Sequence, residues 1–276
     1  MKTAIVTGAS AGIGRAVAER MLEAGWTVGL VARRAELLDA TPQAYGARAV
    51  PLPLDVTDAD AVQSAFHDFA EATGRLDVLF NNAGIFTPAA PIDEIAIDDW
   101  RRAVEVNLTG MFLCARMAFR LMRRQEPQGG RIINNGSISA HVPREGAAPY
   151  TATKHGVTGL TRQIALDGRP FDIACGQIDI GNAETDIVHG LRKQAEAAGT
   201  APEPVMDVAH VASSVLHMAV HALPCQCQLN QQQLLEFQAE GGPLDVVLRG
   251  VAGEPEQIVE VVGHVLDPLS VFDQRW

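Results

Sequence analysis

Ser137, Tyr150 and Lys154 are side chains able to hold or move a proton, grouped just after an apolar run at Arg131 to Asn134. Tyr150 and Lys154 stand four residues apart, so on a helix they share one face and the ammonium lies near the phenol. A phenol beside a fixed cation loses its proton more readily than free tyrosine, whose pKa is about 10. A tyrosine so placed is equipped as a general acid or base toward an alcohol or a carbonyl. The spacing alone carries little weight, because Tyr-x-x-x-Lys arises by chance on many helix surfaces. Its meaning depends on the elements around it.

Those elements begin at Thr3 to Thr7, a β-branched run that predicts a buried parallel strand. Thr7-Gly8-Ala9-Ser10-Ala11-Gly12-Ile13-Gly14 follows at once and opens an amphipathic segment with apolar Ile13, Ala16, Val17, Met21 and Leu22. Strand, glycine turn and helix in that order make a phosphate-binding unit. Gly8, Ser10, Gly12, Ile13 and Gly14 would line it, with bare backbone and a helix N-terminus facing the pyrophosphate. Gly25 ends the helix, and Trp26 to Ala32 predicts a second strand. An acidic residue at its end would hold the ribose 2'-hydroxyl of NAD. Here the strand ends in Ala32, then Arg33 and Arg34, two guanidinium groups suited to a 2'-phosphate. NADP(H) is therefore preferred, with NAD(H) as the alternative.

The alternation continues with a strand over Ala47 to Leu54, weakened by Pro51 and Pro53 and followed by Asp55 and Val56 beside the adenine. Val62, Ala65, Phe66, Phe69 and Ala70 form the stripe of a helix stopped by Gly74. Leu76 to Phe80 predicts a fourth strand running into Asn81-Asn82-Ala83-Gly84, where small residues permit close approach of a cofactor to Asn82, Ala83 and Gly84. A single helix is predicted from about Asp98 to Arg124. It contains Asn107, which is costly to bury unpaired and so is either satisfied locally or used.

Composition narrows the partners. A chain of 276 residues suits one α/β domain, and a formal charge of -11 argues against nucleic acid or an anionic membrane. Four scattered cysteines read as reduced thiols rather than a disulfide framework. Cys225-x-Cys227 has no second pair at zinc spacing, so no metal is expected. The N-terminus lacks a signal-peptide core, and no run nears the roughly 18 apolar residues of a membrane span. These features predict a soluble, cytoplasmic protein.

In this order and near these spacings, Thr-Gly-x-x-x-Gly-x-Gly at 7 to 14, Asn-Asn-Ala-Gly at 81 to 84, Asn107, Ser137 and Tyr150-x-x-x-Lys154 resemble the short-chain dehydrogenase/reductase family. The resemblance covers roughly the first four-fifths of the chain. It implies a doubly wound, Rossmann-like sheet of about seven parallel strands in a three-layer α/β/α sandwich. It also implies roles. Tyr150 would be the acid in reduction and the base in oxidation, and Lys154 would hold the nicotinamide ribose and favour the tyrosinate. Ser137 would bind the substrate oxygen, and Asn107 would hold a water in a relay to Lys154. The apolar segments around 107 to 121 and 150 to 166 resemble a dimer-forming pair, so a homodimer or homotetramer is expected. The implied activity is NADP(H)-dependent interconversion of an alcohol with a ketone or aldehyde. A catalytically silent nucleotide-binding regulator or scaffold on the same fold is the alternative.

The chain departs from the family twice. After a strand at Asp172 to Ile180 the usual Pro-Gly-x-x-x-Thr becomes Ile180-Gly181-Asn182-Ala183-Glu184-Thr185, which keeps Gly181 and Thr185 for the cofactor. Met206 to Val220 predicts a last helix, but residues 222–276 match no closing strand and turn glutamine-rich between Gln226 and Gln238. That divides the chain into a catalytic unit at 1–221 and a divergent segment. The segment is either a lineage-specific extension or a frame-shifted or replaced terminus, with a strand at Leu244 to Leu248 and a helix at Ile258 to Leu266. Phe86, His141 and the stretch Thr185 to Arg192 are further candidates for the substrate's surroundings, and His155 is read as structural.

Overall fold

The computed structural model describes residues 1–38, 40–185, 188, 199, 204–221, 227–228, 248–251 and 258–261. Its centre is a parallel sheet. Strand β1 (Thr3–Thr7) pairs with β2 (Thr27–Ala32) on one side and β4 (Val78–Asn81) on the other. Beyond these lie β3 (Ala49–Pro53), β5 (Gly130–Asn135), β6 (Ile173–Asp179) and the two-residue β7 (Cys227–Gln228). The order is β3-β2-β1-β4-β5-β6-β7, so the chain reverses its direction of travel between β1 and β4. Open α/β sheets bind ligands at such a switch point, outside the carboxyl ends of the strands.

All five residues of β1 are buried, because helices cover both faces of the sheet. Ala4 and Val6 face one core, with Val17, Met21 and Leu22 of α1 (Gly12–Glu23) and Val211 and Val215 of α7 (Val208–Val220). Ile5 faces the other, with Phe66 and Phe69 of α3 (Ala59–Thr73) and Cys114 and Ala118 of α5 (Met111–Arg124). Three layers follow from this alternation. Helix α3 starts where Asp58 accepts hydrogen bonds from the amides of Asp60 and Ala61, and stops at Gly74, whose φ of +83° is left-handed. Between β2 and β3 lies the short α2 (Ala40–Tyr45). Among the described residues no helix is long and apolar enough to cross a membrane.

Two expectations change. The single helix over 98–124 is α4 (Ile97–Val104) and α5, joined by a π-helical turn at Glu105–Gly110 that holds Asn107. There Gly110 packs so close to Val56 that an added Cβ would lie 2.8 Å from its methyl. The helix expected from Ile258 is, over its described part, strand β9 (Ile258–Val261), antiparallel to β8 (Leu248–Val251). β-Branched Ile258, Val259 and Val261 suit an extended pairing. Of the strand expected at 244–248 only Leu248 is described, and it lies in β8. Residues 229–247, Cys225 and most of 186–192 lie outside the described residues.

Candidate active site

A cavity of about 760 Å³ opens at the carboxyl ends of β1, β2, β4, β5 and β6. At one end Gly8, Ser10, Gly12 and Ile13 form its floor. Gly8 and Gly12 have φ of +69° and +52°, the left-handed region that glycine enters without strain. Gly14 does not border the cavity, yet its Cβ would fall 2.2 Å from the Gly8 carbonyl, so only glycine lets α1 meet the turn this closely. Helix α1 has no side-chain cap at Ala11, which leaves its first amides to a ligand. Thr7 ties the turn to the next loop: its hydroxyl accepts hydrogen bonds from the amides of Asn82 (2.8 Å) and Ala83 (2.9 Å).

The adenosine end is bordered by Arg33, Asp55 and Val56, and the middle by Asn82, Ala83 and Gly84. Arg34 is exposed and does not border the cavity, so of the two arginines only Arg33 is placed at its mouth. At the far end stand Ser137, Tyr150, Lys154, Gly181 and Thr185. Pro149 stands in the first turn of α6 (Ala148–Gly168), and that start puts Tyr150 at the rim and Lys154 one turn deeper. Thr185 reaches back over the phosphate turn, its methyl 3.1 Å from where a Gly12 Cβ would be.

Lys154 Nζ donates to the Asn135 carbonyl at 2.7 Å and lies 5.4 Å from the centroid of the Tyr150 ring. Burial draws the lysine from 10.5 down to about 8, with Asp179 pulling the other way. Burial also pushes the Tyr150 phenol up to about 12, against its hydrogen bond with Ser137 and the charge of Arg144. The sequence predicts a phenol made easier to ionise; in this site the reverse holds, because loss of solvent disfavours its anion. Phe86 stacks on Tyr150 with ring centroids 4.0 Å apart.

Asn107 is buried but does not border the cavity. Its Oδ1 accepts from the Ile85 amide at 2.7 Å and its Nδ2 donates to the Ile85 carbonyl at 2.9 Å, so the side chain braces the loop before Phe86. His141 also lies off the cavity wall, with Nε2 2.8 Å from Asp179 Oδ2. His155 is exposed, its Nδ1 2.9 Å from the Thr151 carbonyl. Sequence reasoning missed Asn135, Arg144, Gln177 and Asp179. Gln177 and Asp179 carry a readable signal, two polar residues at a period of two within an apolar strand. Among the described residues no cluster of three His, Cys, Asp or Glu is gathered as a metal site.

A doubly wound sheet with a glycine cradle and a tyrosine–lysine pair in one cleft defines a class of nicotinamide-dependent enzyme. The family model for short chain dehydrogenases matches residues 2–196. The chain is 37% identical over 189 residues to a 3beta-hydroxysteroid dehydrogenase of Mediterraneibacter gnavus, covering 67% of each protein. It is 36% identical over 226 residues to a cis-4-hydroxycyclohexanecarboxylate dehydrogenase of Sinomonas cyclohexanicum, covering 80% of this chain and 90% of that one. In fold it is similar to a 3-ketoacyl-(acyl-carrier-protein) reductase of Brucella melitensis complexed with NADH, with a TM-score of 0.75 at 24% identity over 83% of this chain and 96% of that one. The chain belongs to the short-chain dehydrogenase/reductase family. It is an NAD(P)-dependent oxidoreductase that interconverts an alcohol and a carbonyl in a small-molecule substrate.

Proposed function

We propose that the protein is an NADP(H)-dependent oxidoreductase acting on a secondary alcohol or ketone, with Tyr150 as general acid/base and residues 1–221 as the catalytic unit. The observation that carries this reading is the convergence of Ser137, Tyr150 and Lys154 at one end of the cavity whose other end is the glycine cradle. A dinucleotide fits the residues present. The cradle is bare backbone with the first amides of α1 uncapped, and Asn135 Oδ1, buried on the cavity wall, has no hydrogen-bond partner among the described residues. Gly8, Ser10, Gly12, Ile13, Asn82, Ala83, Gly84, Gly181 and Thr185 would hold it, with Asp55 and Val56 at the adenine and Arg33 at a 2'-phosphate. When bound, the cofactor supplies or accepts the hydride.

Tyr150 is protonated in this site at neutral pH, since its pKa lies near 12. In reduction it gives that proton to the carbonyl oxygen as negative charge develops there, and in oxidation it takes the proton back. Ser137, hydrogen-bonded to Tyr150, orients the substrate oxygen and the phenol together. Lys154 places a positive charge under the ring and favours the tyrosinate when the proton has left. Asn107 acts on this centre as a positioning residue, through the Ile85–Phe86 loop. Phe86, Ile138, Val142 and Val188 border the cavity and suit an apolar substrate. Relatives that act on a hydroxysteroid and on a hydroxycyclohexanecarboxylate support a cyclic secondary alcohol.

The test is NADPH oxidation against a panel of cyclic ketones, comparing the parent with Tyr150→Phe. A loss of about a hundredfold or more in kcat, with NADPH binding retained, is expected from removing an acid–base group. Turnover unchanged in that variant would refute the assignment. An inactive parent that still binds NADPH would favour the scaffold alternative.

A further inference from the structure

Asp179 has no place in the mechanism just described, yet it is one of the most enclosed carboxyl groups in the structure, its side chain 5% exposed. A buried carboxylate is costly unless every oxygen is paired. Here Oδ1 accepts from the Ser137 amide at 3.0 Å and from Gln177 Nε2 at 2.6 Å, and Oδ2 meets His141 Nε2 at 2.8 Å. Gln177 is fixed in turn: its Nε2 donates to Thr158 Oγ1 at 2.9 Å and its Oε1 accepts from Thr161 Oγ1 at 3.1 Å. The chain makes room for this arrangement with Gly136, where a Cβ would lie 2.0 Å from Asp179 Oδ1. These bonds join the end of β6, the start of the Ser137 turn and the face of α6 that carries Lys154.

We propose that Asp179 is a positioning residue of the catalytic centre, locking the Ser137 backbone and, with His141, fixing a negative charge beside the Tyr150–Lys154 pair. The proposal rests on the catalytic reading of Tyr150 given above. Its effect passes through two routes. Geometrically, Ser137 N is held by Asp179, while Ser137 Oγ accepts from the Ser139 amide at 3.1 Å and is left aimed at Tyr150. Electrostatically, the carboxylate raises the pKa of both Tyr150 and Lys154, the first keeping the phenol protonated and the second keeping the ammonium charged. The titratable and charged groups around it are His141 from the turn after Ser137, Tyr150 and Lys154 from α6, and Arg144, whose charge reaches Tyr150 from the connecting loop and whose Nη2 donates to Asn182 Oδ1 at 3.1 Å. The carboxylate thus ties the Ser137 turn to β6 while its charge stands near the tyrosine and the lysine.

The experiment measures kcat and KM from pH 6 to 10 for the parent, Asp179→Asn, Asp179→Ser, His141→Gln and Tyr150→Phe, with NADPH affinity followed by fluorescence titration. Asparagine keeps an oxygen for Ser137 N but removes the charge. We expect kcat to fall about tenfold, as on weakening one preorganised contact to the reacting oxygen. The limb of the pH profile due to Lys154, at about 8 in the parent, should move to lower pH, with NADPH affinity within twofold of the parent. Asp179→Ser, which also fits beside Gly136, should move the limb the same way and lower kcat further. It carries the test if the asparagine variant does not fold. His141→Gln should lower kcat by less than Asp179→Asn. If Tyr150→Phe is inactive but Asp179→Asn and Asp179→Ser keep the parent's kcat and pH limb, Asp179 is only structural and the proposal is overturned. If Tyr150→Phe itself stays active, the catalytic reading has failed instead.

Discussion

Replacing Lys154 by methionine should abolish turnover and, below pH 8, make the protein more stable. The lysine is buried, and its pKa lies at about 8 in place of 10.5. At about 1.4 kcal/mol for each pKa unit, carrying the charge costs the folded state about 3 kcal/mol while the unfolded chain carries it freely. Set against this is the hydrogen bond from Nζ to the Asn135 carbonyl at 2.7 Å. A charged donor contributes about 1.5 to 3 kcal/mol in such a bond. The difference leaves methionine ahead by about 1 kcal/mol, which raises Tm by roughly 2–4 °C for a chain of this size. The sign reverses with pH. Because the folded pKa is lowered, the unfolded state binds more protons between pH 8 and 10.5, and the parent gains stability as pH climbs through that window. The variant lacks that gain, so its advantage should shrink above pH 8 and turn into a deficit near pH 10. Thermal unfolding followed by circular dichroism at pH 7, 8, 9 and 10, alongside NADPH oxidation, measures both effects. A Tm difference that is the same at pH 7 and pH 10 would refute the reasoning, as would a variant several degrees less stable at pH 7.

Two further outcomes concern the cofactor. Arg33→Ala should raise KM for NADPH about tenfold while leaving NADH within twofold, because an exposed charge-assisted contact is worth about 1.4 kcal/mol, and Arg34→Ala should change neither. Steady-state kinetics with both nucleotides decides it, and equal losses for NADPH and NADH would remove the 2'-phosphate from the role of Arg33. Gly14→Ala places a Cβ 2.2 Å from the Gly8 carbonyl, so the turn must open by more than 1 Å to reach the usual contact distance. A crowding cost of about 1–3 kcal/mol should appear as NADPH binding weakened about tenfold or more in fluorescence titration, and wild-type affinity would show that the turn yields freely.

The strands were the most legible part of the fold, and for one reason. With helices on both faces each strand reads as a continuous apolar run, and Thr3–Thr7 stands in the structure with the limits predicted for it. Helix limits were less legible where packing overrode pattern. The periodicity of 98–124 runs through unbroken, but the approach of Gly110 to Val56 and the bonding of Asn107 to Ile85 are long-range, and a π turn accommodates them. At Ile258 local β propensity prevails, and the described residues are strand, paired antiparallel with nearby 248–251.

The site divides along the same line. That Gly8, Gly12, Ser137, Tyr150 and Lys154 line one cavity was legible because their placement depends on local spacing: a turn, a helix face, a strand end. What spacing could not show is the medium those groups sit in. The sequence places a cation beside a phenol and predicts an easier tyrosinate, whereas enclosure by β5, β6 and α6 disfavours both charges, leaving a phenol near 12 and an amine near 8. Two buried groups that each resist ionising make a poor resting ion pair, and the proton stays on the phenol oxygen until a substrate's developing negative charge draws it off. Deprotonation is then favoured by the positive charge of Lys154, which the nearby Asp179 carboxylate helps to keep on the amine. Asp179 shows in the sequence only as a polar residue in an apolar strand, and its bonds to 137, 141 and 177 emerge only when β6 and the Ser137 turn are brought together.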